Sequence, residues 1–78
     1  MDVLFFGIAK DITGLKKMKL SADAFPTVGD LKLFLGEKYP ALGDLKSLAF
    51  AVNESYANDN QQLKKSDVVA LIPPVSGG

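Results

Sequence analysis

The sequence contains no cysteine, no histidine and no arginine, and its charges cancel, with nine lysines against nine acids. Without His or Cys there is no Ser-His-Asp triad, no thiolate nucleophile, no zinc site of the usual nitrogen and sulfur type and no redox pair. No metal site is expected, and no disulfide can supplement the core. The balanced charge leaves no basic excess for phosphate neutralisation, which excludes nucleic-acid binding of the usual kind. Long apolar runs are missing too. The two best, Val3 to Ala9 and Val68 to Val75, fall far short of the roughly 20 residues that span a bilayer. Asp2 precedes the first run and Lys10-Asp11 closes it, unlike the basic start and small-residue cleavage site of a secretory signal. A cytoplasmic location is expected. No Gly-x-x-x-x-Gly-Lys-Ser/Thr loop is present, so the chain cannot cradle a nucleotide in the way of a P-loop protein.

What is present is 78 residues with 47% hydrophobic and 23% charged side chains, the composition of one small globular domain. Asp2 to Ala9 reads as a strand, with aromatic and β-branched residues on both alternating faces. Asp11-Ile12-Thr13-Gly14 reads as the turn of a hairpin. The second arm, Lys16 to Ala22, alternates: Met18, Leu20 and Ala22 point one way, Lys17, Lys19 and Ser21 the other. Its lysines suit an edge strand.

The period then changes. Thr27 can cap a helix and Asp30, three residues on, makes a shortened capping box. Val28, Leu31, Phe34 and Leu35 recur at helical spacing. Pro40 disfavours helix at Tyr39, so the helix ends by Lys38 or Tyr39. Ala41 to Lys46 fits one further helical turn, Leu48 to Val52 a third strand, and Asn53-Glu54-Ser55 a reversal before Tyr56-Ala57. Lys64 to Asp67 is a turn before the last strand, Val68 to Ile72, which is apolar on both faces like the first. Two such strands are natural neighbours at the sheet's centre, and the intervening helix permits them to run parallel. The expected class is α+β: a mixed sheet with one main helix packed on one face, the β-grasp arrangement, over residues 1–72.

Residues 73–78 read Pro73-Pro74-Val75-Ser76-Gly77-Gly78. Two prolines remove two backbone donors and direct the chain out of the sheet. Six extended residues reach about 20 Å, and two glycines leave the final carbonyl unhindered. Paired glycines there fit a frayed end or a carboxylate presented for reaction. With Gly near 7% of residues the pair arises by chance in about one chain in 200. That rarity, the rigid Pro-Pro exit and the shortage of other reactive groups favour the second reading. A carboxylate with a pKa near 3.5 is ionised and a poor electrophile at neutral pH, so another protein must activate it.

Phe50-Ala51-Val52-Asn53-Glu54-Ser55-Tyr56, Leu63, Ser66 to Ile72 and the tail Pro73 to Gly78, with the opening Val3-Leu4-Phe5-Phe6-Gly7 and the helix entry Phe25-Pro26-Thr27-Val28, resemble the MoaD branch of the MoaD/ThiS family of ubiquitin-like sulfur carriers. The chain departs from that branch at Lys10-Asp11, where Arg-Glu is common, and at Lys65-Ser66-Asp67-Val68, where Asp-Gly-Asp-Glu is common. The resemblance implies the small subunit of molybdopterin synthase, not catalytic alone. A MoeB-type adenylyltransferase would use ATP to adenylate the carboxylate of Gly78, and sulfur would replace AMP to leave a thiocarboxylate. Pro73, Pro74, Val75, Ser76, Gly77 and Gly78 would enter a MoaE-type large subunit of a heterotetrameric synthase, where sulfur passes to cyclic pyranopterin monophosphate. The alternatives are a ThiS-like carrier for thiazole synthesis, favoured less by the Pro-Pro-Val-Ser spacer, and a ubiquitin-like protein modifier.

Other candidates read as structural. Asn53-Glu54-Ser55 matches a glycosylation acceptor by coincidence, and the seven aspartates sit in turns and element ends. Lys16-Lys17 and Lys64-Lys65 are solvated, with docking to an acidic partner as the functional alternative. Phe5, Phe6, Phe34 and Phe50 are core candidates, of which one or two could lie in an interface on an uncovered sheet face.

Overall fold

The computed structural model describes residues 1–45 and 47–73. In chain order it forms β1 (Asp2–Phe5), α1 (Gly7–Thr13), β2 (Lys17–Lys19), α2 (Val28–Lys38), α3 (Pro40–Gly43), β3 (Ala49–Val52), β4 (Ser55–Ala57) and β5 (Val68–Ile72). The five strands lie in the order β2-β1-β5-β3-β4. β1 and β5 pair in parallel, Asp2 opposite Val68 and Phe5 opposite Leu71, and the other pairs are antiparallel. The mixed sheet with α2 on one face is the ubiquitin-like β-grasp fold that the alternating patterns predict.

The core forms where inward side chains of the sheet meet the helix. Val3, Phe5, Val69, Leu71, Phe50 and Val52 project from three adjacent strands onto Val28, Leu31 and Leu35 of α2, and all nine are buried. Phe34 lies half-buried at the margin, its ring 4.7 Å from that of Phe25. The start of α2 is fully specified locally. Thr27 Oγ1 accepts from the Asp30 amide at 3.3 Å, and the Asp30 carboxylate accepts from the Thr27 amide at 3.2 Å, so the capping box is complete. Two further amides donate to the loop before β5, Val28 to Gln61 at 3.0 Å and Gly29 to Asp59 at 2.9 Å. The first turn of α2 thus keeps no orphan donors at these positions. Replacing Thr27 by Ala should cost about 1 kcal/mol, read as a lower thermal midpoint with unchanged β-sheet content.

One expectation fails. The first strand stops at Phe5, four residues before Ala9, and α1 occupies the rest of the run and most of the expected hairpin turn. Gly7, at φ +52°, takes the chain out of the strand. Ala9 is then fully buried and Ile12 partly so, the three-residue spacing of a helix face. Phe6 and Ile8, which alternation assigns to a second buried strand face, are 50% and 48% exposed. Gly14 closes the helix in the left-handed conformation, φ +74°, its amide donating to Lys10 at 2.8 Å. β1 and β2 still pair antiparallel, Val3 opposite Met18, but through a helical connection, and β2 is shorter than Lys16 to Ala22. Of the extra turn expected at Ala41 to Lys46, α3 supplies Pro40–Gly43, and Lys46 lies outside the described residues.

Candidate functional site

β5 carries the chain to the root of the tail. It is the central strand, held by β1 on one side and β3 on the other, with Ile72 opposite Ala49. Its far end is tied down by a side-chain latch. Asn53 Nδ2 donates to Asp67 Oδ1 at 2.9 Å, Asn53 Oδ1 accepts from the Val68 amide at 3.0 Å, and Asp67 Oδ2 accepts from the Lys64 amide at 2.7 Å. Asp67 is buried, and these bonds satisfy both its oxygens. The direction in which β5 points is therefore fixed from both sides and from behind.

Pro73 is the only tail residue among those described, and it is half-buried. Its Cγ stands 3.2 Å from where a β-carbon on Gly7 would lie, so the bare backbone at the first residue of α1 leaves room for Pro73. Pro74, Val75, Ser76, Gly77 and Gly78 lie outside the described residues.

The sheet face opposite α2 is left open by the described elements. The pairing register aligns Lys17, Leu4, Ala70, Ala51 and Tyr56 in one row across all five strands. Small side chains at the centre and large ones beside them make a shallow trough of about 600 Å³, lined by Leu4, Phe6, Ala51, Tyr56, Ala70 and Ile72 among others. Tyr56 is 75% exposed beside it. The trough runs parallel to β5 and reaches Ile72, next to the tail's root. An exposed apolar surface of this kind on a small domain marks an interaction site. Its rims are charged: exposed Lys17 and Lys19 on β2, and exposed Glu54 in the β3–β4 turn, which also lines the trough.

Sequence reasoning anticipated that some phenylalanine would face an open side of the sheet, and Phe6 does, while Phe5 and Phe50 are core. It missed Leu4, Ala51, Tyr56 and Ala70, because only the pairing register brings them together. Among the described residues no cluster of three acidic side chains is placed to hold a metal ion, and no helix is long and apolar enough to cross a membrane.

Comparison with known proteins gives a consistent picture. The profile of the ThiS family matches residues 3–78. The sequence is 38% identical to the molybdopterin synthase sulfur carrier subunit of Escherichia coli (strain K12), covering 100% of this chain and 99% of that one. The small archaeal modifier protein 1 (SAMP1) of Methanosarcina acetivorans is 30% identical and superposes with a TM-score of 0.78 over 99% of this chain and 94% of that one. A chain from the complex of subunits 1 and 2 of the molybdopterin-converting factor of Helicobacter pylori 26695 is 32% identical, with a TM-score of 0.70 over 99% and 96%. With a family match spanning all but its first two residues and a full-length relative at 38% identity, the chain belongs to the ThiS family of ubiquitin-like proteins.

Proposed function

We propose that this chain is the sulfur carrier subunit of molybdopterin synthase and that the carboxyl carbon of Gly78 carries the sulfur. The observation that carries this reading is the alignment with a relative of that name along the whole of both chains, together with a family match that extends to Gly78 itself. The chemistry of the side chains agrees. With no Cys, sulfur cannot ride on a side chain as a persulfide or thioester, and the carboxylate of a glycine offers an acyl carbon with no neighbouring side chain to obstruct attack.

The reaction sequence follows from the electrophilicity of that carbon. An ionised carboxylate repels nucleophiles, so an adenylyltransferase of the MoeB type supplies ATP: a carboxylate oxygen attacks the α-phosphorus, and pyrophosphate leaves. The mixed anhydride has AMP as a good leaving group. A sulfur nucleophile adds to the carbonyl and expels it, leaving a thiocarboxylate on Gly78. ATP is a substrate of the partner and is not a resident cofactor of this chain. A MoaE-type large subunit then takes up Pro73, Pro74, Val75, Ser76, Gly77 and Gly78, and the sulfur passes to cyclic pyranopterin monophosphate. The likeness to a small subunit solved together with its large one supports that partnership. All of these steps belong in the cytoplasm, where ATP and the activating enzyme are at hand.

The test is intact mass after incubation with ATP, an adenylyltransferase and a sulfide source. Exchange of one oxygen for sulfur at the terminal acid group adds about 16 mass units, an expectation from atomic composition. No mass change under conditions that load an authentic carrier would defeat the proposal. Presenting the loaded chain separately to molybdopterin synthase and thiazole synthase large partners then distinguishes this assignment from a ThiS-like carrier.

A second reading is favoured by one observation, the 30% identical structure whose own name is that of a modifier protein. The same acyl adenylate would then meet a lysine amine in place of sulfur. Isopeptide-linked adducts recovered after activation would support that use.

A further inference from the structure

The zero net charge of the chain conceals a separation of charge between two sides of the fold. On the helix side of the sheet, toward β3 and the loop that follows β4, α2 and α3 wall a groove of about 1000 Å³. Its apolar surface includes Leu33, 69% exposed, and Phe50. Among the described residues its charged lining is Asp30, Glu37, Asp44 and Asp59 against Lys32, and Lys32 is already paired with Asp59 at 2.8 Å. The groove therefore carries an excess of negative charge. Glu37 stands in the last turn of α2, where the helix dipole favours cations, so helix stability does not account for an acid there.

The other side carries the complement. β2 is the edge strand at the far end of the sheet from β4, and from α1 through β2 the lysines Lys10, Lys16, Lys17 and Lys19 stand against Asp11 as the sole acid. The loop between these elements is held in shape. Gly14 turns the chain at φ +74°, and Thr13 Oγ1 accepts from the Leu15 amide at 3.1 Å and donates to the Leu15 carbonyl at 3.3 Å. Leu15 is thereby presented 38% exposed, with exposed Lys16 next to it. An apolar tip beside cations is the counterpart of an apolar groove rimmed by carboxylates. We infer that the groove between α2 and α3 takes the Leu15-Lys16 loop of a second copy of this chain.

The placement of the two surfaces fixes the kind of contact. A two-fold dimer would need loop and groove on one side of the molecule, whereas one lies toward β2 and the other toward β4. The contact is therefore heterologous and adds copies head to tail. A single loop in a groove buries less than the roughly 1,200 Å² of a stable interface, so the association is weak and reversible. A chain without net charge has no long-range repulsion to oppose it. The groove and the loop use none of Leu4, Ala51, Tyr56 and Ala70 on the open face. The inference stands on charge and shape and is independent of the chemistry assigned to Gly78.

Sedimentation velocity over a range of concentrations tests it, at about 0.01 M and about 1 M salt, where the Debye length is about 30 Å and about 3 Å. The weight-average mass of the full chain should rise with concentration at low salt and return to that of a single chain at high salt. Glu37→Lys and Lys16→Glu should each weaken association about tenfold, and Glu37→Lys should do so without lowering the thermal midpoint. An equimolar mixture of these two variants should recover the wild-type association to within about twofold, because each loop then meets a groove of opposite charge on the other variant. Leu15→Ser should weaken association about fivefold through loss of the apolar tip. A wild-type chain that stays single at low salt up to about 1 mM would overturn the inference, and so would a mixture no more associated than its components. A chain that stays single yet binds a leucine-lysine peptide in a manner abolished by Glu37→Lys would give the groove to a different, basic protein, which equally overturns the second copy as its occupant.

Discussion

Deleting Gly78 should stop sulfur transfer while leaving the folded body and its docking intact. The shortened chain still ends in a carboxylate, that of Gly77, but one residue, or about 3.5 Å, short of the reacting position. Misplacing a reacting atom by about 1 Å can already cost a hundredfold in rate. The expected loss in a single-turnover assay with the large subunit is therefore at least about a hundredfold. Stability should not change, because among the described residues the buried core cluster ends at Leu71, and the thermal midpoint of the deletion should match that of the full chain. Adding one alanine after Gly78 makes the complementary test. It converts the Gly78 carboxyl carbon into a peptide carbonyl and places a β-carbon on the new terminus, so loading should fail there as well. Wild-type transfer by either variant would mean that sulfur is carried elsewhere, and the mechanism built on Gly78 would fall.

The parts of this molecule that were legible in its sequence are those specified over short distances. Thr27 and Asp30 announce the start of α2, and Pro40 announces its end, because capping and proline sterics act within a few residues. The parallel pairing of β1 and β5 was legible because both are apolar on two faces, which only a covered or central position permits. The region Phe6 to Gly14 misled for a stated reason. Phe6 and Ile8 favour extended structure by type, and their alternation outweighed the three-residue spacing of Ala9 and Ile12, while Ile12 and Gly14 were read as part of a turn. Gly7 decides the matter, and a single glycine does not declare from sequence which way its φ will turn.

The candidate site divides the same way. The proposed role of the Gly-Gly tail rests on residue type alone, and both glycines lie outside the described residues. The apolar row on the open sheet face was not legible, because it is assembled across five strands, and Ala51 and Ala70 are unremarkable until pairing sets them side by side between Leu4 and Tyr56. Glu54 was readable as part of a reversal. Its left-handed conformation follows from the two-residue connection between β3 and β4, where the twist of the paired strands demands positive φ whatever side chain is present.

The largest effect on stability is expected from Leu71→Ala. Leu71 has no exposed surface, and lies in the central strand opposite Phe5 on β1 and Phe50 on β3, within the core cluster that contains α2. Truncating a fully buried leucine costs about 2–5 kcal/mol, the transfer of the lost methyl and methylene groups plus the cavity they leave. Neighbours on three sides are themselves held by sheet pairing or helix packing, so little collapse into the cavity is available and a loss of about 3 kcal/mol is expected. At about 0.05–0.15 kcal/mol per residue, a domain of this length has roughly 4–12 kcal/mol in total. The variant would forfeit a quarter or more of it, and its thermal midpoint should fall by roughly 12–24 °C. The adjacent Ala70 points to the open face, and Ala70→Ser should shift stability by less than about 0.5 kcal/mol, which separates loss of packing from any general sensitivity of β5. Because Leu71 is a core residue seven positions before Gly78 in the sequence, sulfur transfer by Leu71→Ala should track the folded fraction and approach the wild-type rate at low temperature. A loss below about 1 kcal/mol in urea unfolding would mean that the inward side chains of β5 do not hold the sheet to α2. A loss of transfer in the fully folded variant would mean that this strand shapes the delivery of Gly78 more directly than its packing implies.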